Sequence, residues 1–392
     1  MAHTTHPHSR LRPLLFVTGP FPPPVHGMAV ATDRLATRAA GHFTVHRFDI
    51  AARQRTGIRI LDLLLRTLHA FVTLITFGVL LPVRRPRAVI AALSAGFARI
   101  FDLGAIAIAR AMGYQVYLTH HSFAAFDGRE RQRLLRLALP LLRRCRHVVL
   151  CDLMKARLCA AWSLDPGAVF VLSNAALIEA LPREAQDIPM PESADTAAPV
   201  TAAARASGGP HLGFISNLCA DKGLWTFLDV VDDLRARGLA VRATIAGPVE
   251  PPDAALERTL RDRLERMGGV AWLGPVRGGA REAFYRSLDL LLFPTVYVHE
   301  SEPLVILEAL ARGVEVITTT RGCIASALAD GEAVVALPEA GFRAAAVAAI
   351  AGRADAAIDH RVRGDRARQH FERLQARGAA QFEHLVAVID QG

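Results

Sequence analysis

The stretch Leu290–Ile317, LLLFPTVYVHESEPLVILEALARGVEVI, decides how this chain folds. The apolar run Leu290–Phe293 reads as a buried strand, and Pro294 stops it. A polar loop carrying Glu300 and Glu302 follows. Pro303 suits the first turn of a helix, where its missing N–H would be unpaired in any case. The helix reads Leu304-Val-Ile-Leu-Glu308-Ala-Leu-Ala and ends near Gly313, a natural left-handed cap. Almost every position in it is apolar, which predicts burial on most sides. Glu308 lies at its centre. A carboxylate there costs several kcal/mol, roughly, unless a partner or a ligand satisfies it. Glu308 is a candidate functional residue on that ground alone.

Outward from this stretch the same rhythm repeats. Leu14–Thr18, Ala88–Leu93, Gln115–Thr119, His147–Cys151 and Val169–Leu172 read as short strands with helical stretches between them. Gly213–Ser216, Ala243–Ala246 and Val270–Leu273 continue the pattern. Strands alternating with helices predict parallel sheets wrapped by helices. The segment 188–209, rich in Ala, Pro, Ser and Thr, reads as a linker, and 392 residues suit two domains. The expected organisation is a disordered tail over 1–12, a first domain over 13–187, a second over 210–360, and a charged amphipathic helix over 361–392. The tail is polar and His-rich and lacks the apolar core of a signal peptide.

The formal charge of +9 is carried by arginine: only Lys155 and Lys222 are lysines. A lysine in this chain is therefore a marked residue. The basic excess suits nucleotide phosphates or an anionic membrane face. Aromatics make up 6% and no basic stripe is interleaved with them, so nucleic acid is not an expected partner. Cys145, Cys151, Cys159, Cys219 and Cys323 are odd in number and scattered, without metal-site spacing, and read as buried or free thiols in a reducing cytosol.

Two further sites follow from position. Gly19-Pro-Phe-Pro-Pro-Pro-Val-His-Gly27 joins a strand to a helix N-terminus, an arrangement whose backbone N–H groups bind anions. His120, His121 and Ser122 fall at the carboxyl end of a strand, where open α/β sheets place their ligands.

Glu300, seven intervening residues and Glu308 resemble the E-x7-E signature of family 4 retaining glycosyltransferases, here between a strand and a buried helix. The resemblance implies the GT-B fold: two Rossmann-like domains with parallel sheets facing across a cleft. It implies that Glu308 accepts from the ribose hydroxyls of a nucleotide-sugar and that Glu300 lies near the donor sugar. Phe214-Ile-Ser-Asn217-Leu-Cys-Ala-Asp-Lys222-Gly is similar to the family's G-R-L-x-x-x-K-G, whose arginine and lysine clamp the donor diphosphate. Lys222 matches, whereas Asn217 replaces the arginine. Arg277, in the Gly-Pro-Val-Arg-Gly loop, is the candidate to restore that charge. The loop from Gly19 to Gly27 resembles the family's cleft loop, and Asn174-Ala175, after Val-Leu-Ser, its domain-closing step. Pro303, Leu304 and Gly322 would offer backbone to the donor, and His120 or His121 would face the reacting sugar. The family's G-x-x-E reads Gly322-Cys323-Ile324-Ala325-Ser326 here, so that carboxylate is missing. Glu315 stands where proline is usual, and the sequence alone offers no account of it.

The reading is a retaining, metal-independent hexosyltransferase that needs no cofactor. It would move sugar from a nucleotide diphosphate sugar to a lipid-linked or polysaccharide acceptor of a cell-surface glycan. The alternatives are a nucleotide-sugar epimerase-like enzyme and a degenerate, non-catalytic binding protein of the same fold. Ile58–Val83 bears on location. Its run from His69 to Pro82 is too short to span a bilayer, and Asp62 and Arg66 interrupt the longer version. It reads either as a buried helix or as an amphipathic element on an anionic membrane, with Arg84, Arg85 and Arg87 at the headgroups. A cytoplasmic, peripherally membrane-associated protein is the expectation.

Overall fold

The structure is a computed structural model, which describes residues 12–23, 25–50, 58–94, 96–125, 133–179, 209–250, 252–355 and 360–391. Nearly all of the tail and of the 188–209 linker lie outside the described residues.

Twelve strands form two six-stranded sheets, and every pairing in both is parallel. The first contains β1 (Leu14–Gly19), β2 (Thr44–Asp49), β3 (Ala88–Ala92), β4 (Val116–Thr119), β5 (Arg146–Val149) and β6 (Val169–Val171), in the order β2-β1-β3-β4-β5-β6. The second contains β7 (His211–Ile215), β8 (Arg242–Ala246), β9 (Val270–Trp272), β10 (Leu290–Phe293), β11 (Glu315–Thr319) and β12 (Val334–Leu337), in the order β12-β11-β10-β7-β8-β9. The second order is that of the Rossmann fold, and each sheet reverses direction once, between β1 and β3 and between β7 and β10. Ligands of open α/β sheets bind beyond the carboxyl ends of the strands at such a reversal. The loops after β7 and β10 carry Asn217, Lys222 and Glu300. The chain thus adopts the two-domain GT-B architecture.

The helices of the first domain are α1 (Gly27–Ala39), α2 (Arg59–Arg84), α3 (Arg99–Ala111), α4 (Arg133–Leu142) and α5 (Asp152–Trp162). Those of the second are α6 (Leu224–Ala236), α7 (Ala254–Met267), α8 (Gly278–Ser287), α9 (Leu304–Ala311) and α10 (Phe342–Asp355). Both faces of each sheet are covered, so the central strands are continuous apolar runs such as Leu15-Phe16-Val17 and Leu290–Phe293, all buried. The edge strands β2 and β12 escape the reading of the sequence, β2 because it is mostly polar and β12 although its Val-Val-Ala-Leu run is apolar.

The last helix, α11 (His360–Gln391), serves both domains. Ala367, Phe371 and Leu374 join the core of the second, whereas Phe382, Leu385 and Ile389 join that of the first beside Leu15 and Val17. A Cβ on Gly378, at the crossing, would meet the backbone of Ala176 at 2.8 Å, so glycine permits the close approach.

Three expectations are corrected here. The cysteines are not all thiols: Cys151 and Cys323 form a disulfide between the domains, leaving Cys145, Cys159 and Cys219 free. Glu315 acquires an account, because Arg353 of α10 lies 3.3 Å from its buried carboxylate. Finally, α2 runs unbroken through Pro82. Its span Ile60–Arg84 is long and apolar enough to cross a membrane, and only 11% of its most apolar window is buried. Charges at Asp62 and Arg66 sit in its first turns, so they interrupt neither the helix nor its apolar length. The inner side, with Phe77 and Leu81, packs on the first sheet's core and on α3. Ile60, Leu64, Leu68, Phe71, Ile75 and Val79 recur every three or four residues and are each more than half exposed, forming one outward stripe.

Candidate active site

Glu308 projects from α9 and is almost wholly buried. Arg34 of α1 donates to its Oε1 at 2.9 Å. Arg281 of α8 donates to Oε2, which also accepts from the Tyr285 hydroxyl at 3.0 Å. Burial alone would raise this carboxyl, but Arg281 and then Arg34 hold it below the usual carboxylate range. Glu308 is therefore ionised and bridges the two domains. Burial, and next the charge of Glu308, push the Tyr285 hydroxyl well above its ordinary value, so it stays a donor.

Glu300 occupies the loop after β10. Its Oε2 accepts from Lys222 Nζ at 2.8 Å and from the Thr295 hydroxyl at 2.9 Å. Lys222 also stands 4.3 Å from the centre of the Tyr297 ring, whose face attracts a cation. Gly223, with φ of +86°, turns the chain directly after Lys222, and a Cβ there would strike Pro294 O at 2.1 Å. Glycine at this position is what allows the two loops to touch. Gly322 plays the same part on the other side: its φ is +60°, and a Cβ would lie 2.3 Å from the carbonyl oxygen of Glu300.

The wall opposite comes from the first domain. His120 and His147 stack with ring centroids 5.3 Å apart, joined by a 3.0 Å hydrogen bond between Nε2 and Nδ1, and Trp162 packs edge-on against both. Burial, then the neighbouring imidazoles, hold His120 well below its ordinary value, and burial lowers His121 and His147 to about 4. All three are neutral at pH 7. Ser301 donates its hydroxyl to the carbonyl of His121 at 2.7 Å, tying the Glu300 loop to this wall. Glu302, two residues from Glu300, accepts from the Ser173 hydroxyl at 2.7 Å and from the backbone N–H of Asn174. Asn174 Nδ2 donates in return to the Glu302 carbonyl at 2.9 Å.

The structure thus brings together Lys222 with Glu300, and His121 with Ser301 of the same loop. Pro303 is the residue before α9 and Leu304 its first helical position. Asn217 is half-buried on the loop after β7, its carbonyl accepting from Ser216. Arg277 is exposed at the start of α8 and takes part in none of these contacts; Arg281, one turn further on, faces Glu308. Gly19 ends β1 against Ala92, and Gly27 opens α1 with room around it. Arg34, Arg281, Tyr285, Thr295 and Ser301 had no sequence signal, because none belongs to a motif.

Residues 209–355 match the family described as Glycosyl transferases group 1. The match falls on the second domain and stops short of the first. No curated protein matches the chain in sequence. Solved structures nevertheless resemble it along nearly its whole length. A glycosyltransferase from Rickettsia africae superposes with a TM-score of 0.68 at 12% identity, covering 97% of this chain and 98% of its own. Sucrose-phosphate synthase from Thermosynechococcus elongatus gives 0.66 at 14% identity, covering 97% and 100%. HepE of Anabaena, solved with UDP-glucose, gives 0.63 at 14% identity, covering 97% and 98%. At these identities the likeness is one of fold, and Lys222, Glu300 and Glu308 lie in the domain that the family match covers.

Proposed function

We propose that the protein is a retaining glycosyltransferase of the family 4 type, which moves a hexose from a nucleoside diphosphate sugar to a lipid-linked or glycan acceptor of a cell-surface polymer. The observation that carries this reading is the 2.8 Å pair of Lys222 and Glu300, set at the carboxyl ends of β7 and β10 where the second sheet reverses. Transfer requires the departing diphosphate to be neutralised and the anomeric carbon held in line with the acceptor hydroxyl. Lys222 and the N–H groups at the start of α9 would meet the diphosphate. Asn217 brings no charge to it, and Arg281, which pairs with Glu308, is the guanidinium that the second domain itself supplies beside that carboxylate. Glu308 would take the ribose hydroxyls and Glu300 would orient the sugar. Neutral His120 and His121 would line the acceptor side, and no divalent cation or cofactor enters the scheme.

The exposed stripe of α2 supports a place of reaction at a membrane surface. Leu137 of α4 is likewise exposed, at 81%, and Arg84, Arg85 and Arg87 stand at and just after the end of α2. A helix that offers apolar side chains beside arginines suits the interface of an anionic bilayer. The protein is read as cytoplasmic and peripheral, meeting its acceptor at the membrane surface.

Purified protein incubated with a panel of nucleotide-sugars and a membrane-lipid extract tests the reading. Acceptor-dependent release of nucleoside diphosphate, unchanged by EDTA, with the anomeric configuration kept in the product by NMR, is the expected result. Turnover without acceptor would point to an epimerase instead, and no turnover with any donor would overturn the assignment.

A further inference from the structure

The domains are joined by a covalent bond as well as by polar contacts. The Cα atoms of Cys151 and Cys323 are 6.2 Å apart, inside the usual disulfide range of about 4.4–6.8 Å. Both residues are buried, and Cys323, although it belongs to the second domain's chain, packs into the apolar core of the first. Cys151 follows β5 and caps α5, its sulfur accepting from the N–H of Met154 at 3.4 Å. Cys323 follows Gly322, and its N–H donates to the Ser301 carbonyl at 2.9 Å. The bond therefore ties the loop behind Glu300 to the wall that carries His120, His121 and His147.

We propose that Cys151 and Cys323 are a thiol–disulfide switch that holds the cleft shut when oxidised and lets the domains part when reduced. Polar contacts across this seam, among them Arg34 with Glu308, Ser173 and Asn174 with Glu302, and Ser301 with His121, can each be exchanged for water as the cleft opens. A covalent bond cannot. In a reducing cytosol a protein disulfide is characteristically transient and redox-sensing rather than structural. The oxidant is a small-molecule disulfide. One cysteine thiolate attacks it, forming a mixed disulfide and releasing one small thiol. The second cysteine thiolate then attacks the protein-bound sulfur, closing the Cys151–Cys323 bond and releasing the other small thiol. The protein loses two protons and two electrons, and the oxidant gains both as its two thiols. A dithiol reverses the sequence.

The switch bears on ligand access. Both Glu308 oxygens are engaged, one of them by Arg34 from the opposite domain, so a nucleotide reaches this carboxylate only when Arg34 yields. A locked cleft lowers the binding-competent fraction, and apparent affinity falls in proportion.

The test uses the full chain without any sugar donor, so its outcome is independent of the glycosyltransferase assay. The protein is oxidised with oxidised glutathione or reduced with dithiothreitol, alkylated for peptide mapping, and followed by hydrogen exchange. Oxidation should link the Cys151 and Cys323 peptides and leave the other cysteines alkylated. Amide exchange over Cys323–Leu328 and His120–Ala124 should then be about tenfold slower than in the reduced protein. Cys151→Ser should exchange like the reduced protein in either buffer. Should that variant fail to fold, Cys323→Ala and the wild-type redox pair supply the same comparison. The proposal falls if both cysteines are alkylated after oxidation, or if the link forms and exchange in these segments does not change.

Discussion

Arg34 of the first domain donates to Glu308 of the second at 2.9 Å, so the carboxylate assigned to ribose is neutralised from across the cleft. The pair spans 274 residues of sequence. It makes Glu308 a point where domain closure and ligand binding compete for one oxygen atom.

Glu308→Gln should weaken nucleoside diphosphate binding by about 1.5–3 kcal/mol, the worth of hydrogen bonds to a charged group. Arg34→Ala removes the competitor and should leave that affinity unchanged or raised. Titration calorimetry decides, and an unaltered affinity in Glu308→Gln sinks the ribose assignment.

Lys222→Ala should lower turnover more than it lowers affinity for the bare nucleoside, because the ammonium acts on the diphosphate as it departs. Equal losses for nucleoside and nucleoside diphosphate would remove Lys222 from the phosphate site. Asn217→Arg is the companion change, and a gain in diphosphate affinity is the result expected of a position that faces the donor.

The legible part of the site was its local part. Glu300, Glu308 and Lys222 are set by a strand, a loop and an apolar helix, each of which leaves a pattern in a few consecutive residues. Their partners come from elsewhere in the chain: Arg34 from α1, Arg281 from α8, and the histidine wall from β4 and β5. Arginine is so common in this sequence that no single one stands out, which is why the reading settled on Arg277 by its loop and passed over Arg281. The same holds for the disulfide, whose halves lie 172 residues apart. The central strands were readable because burial on both faces makes them continuously apolar. By contrast β2, which reads Thr-Val-His-Arg-Phe-Asp at a sheet edge, is mostly polar. The exposure of α2 could not be settled by composition, since a core helix and an interfacial helix are equally apolar.

Glu315 and Arg353 offer a test of the core. Removing Arg353 leaves a carboxylate that is only 4% exposed without its partner, so Arg353→Ala should destabilise by about 3–5 kcal/mol. Replacing both, as Glu315→Leu with Arg353→Leu, should restore most of that stability. Urea unfolding of the two variants measures it, and a harmless Arg353→Ala would mean that the pair is dispensable.

The stripe on α2 makes a prediction about membranes. The protein should co-sediment with anionic vesicles at low salt, and binding should weaken as salt rises, since each nearby arginine contributes about 1 kcal/mol. Leu64→Glu with Phe71→Glu should abolish it without unfolding the protein, because both side chains face outward. Resistance to high salt and carbonate would instead make α2 an integral span.

The path of α11 has a consequence for synthesis. The first sheet is complete once β6 has been made, yet three side chains of its domain's core, Phe382, Leu385 and Ile389, are made only after the strands of the second domain. Until then Leu35 and Phe43 line the core beside Leu15 and Val17, but its α11 side stays open. A message truncated before codon 380 should therefore yield a chain whose first domain keeps that apolar side uncovered.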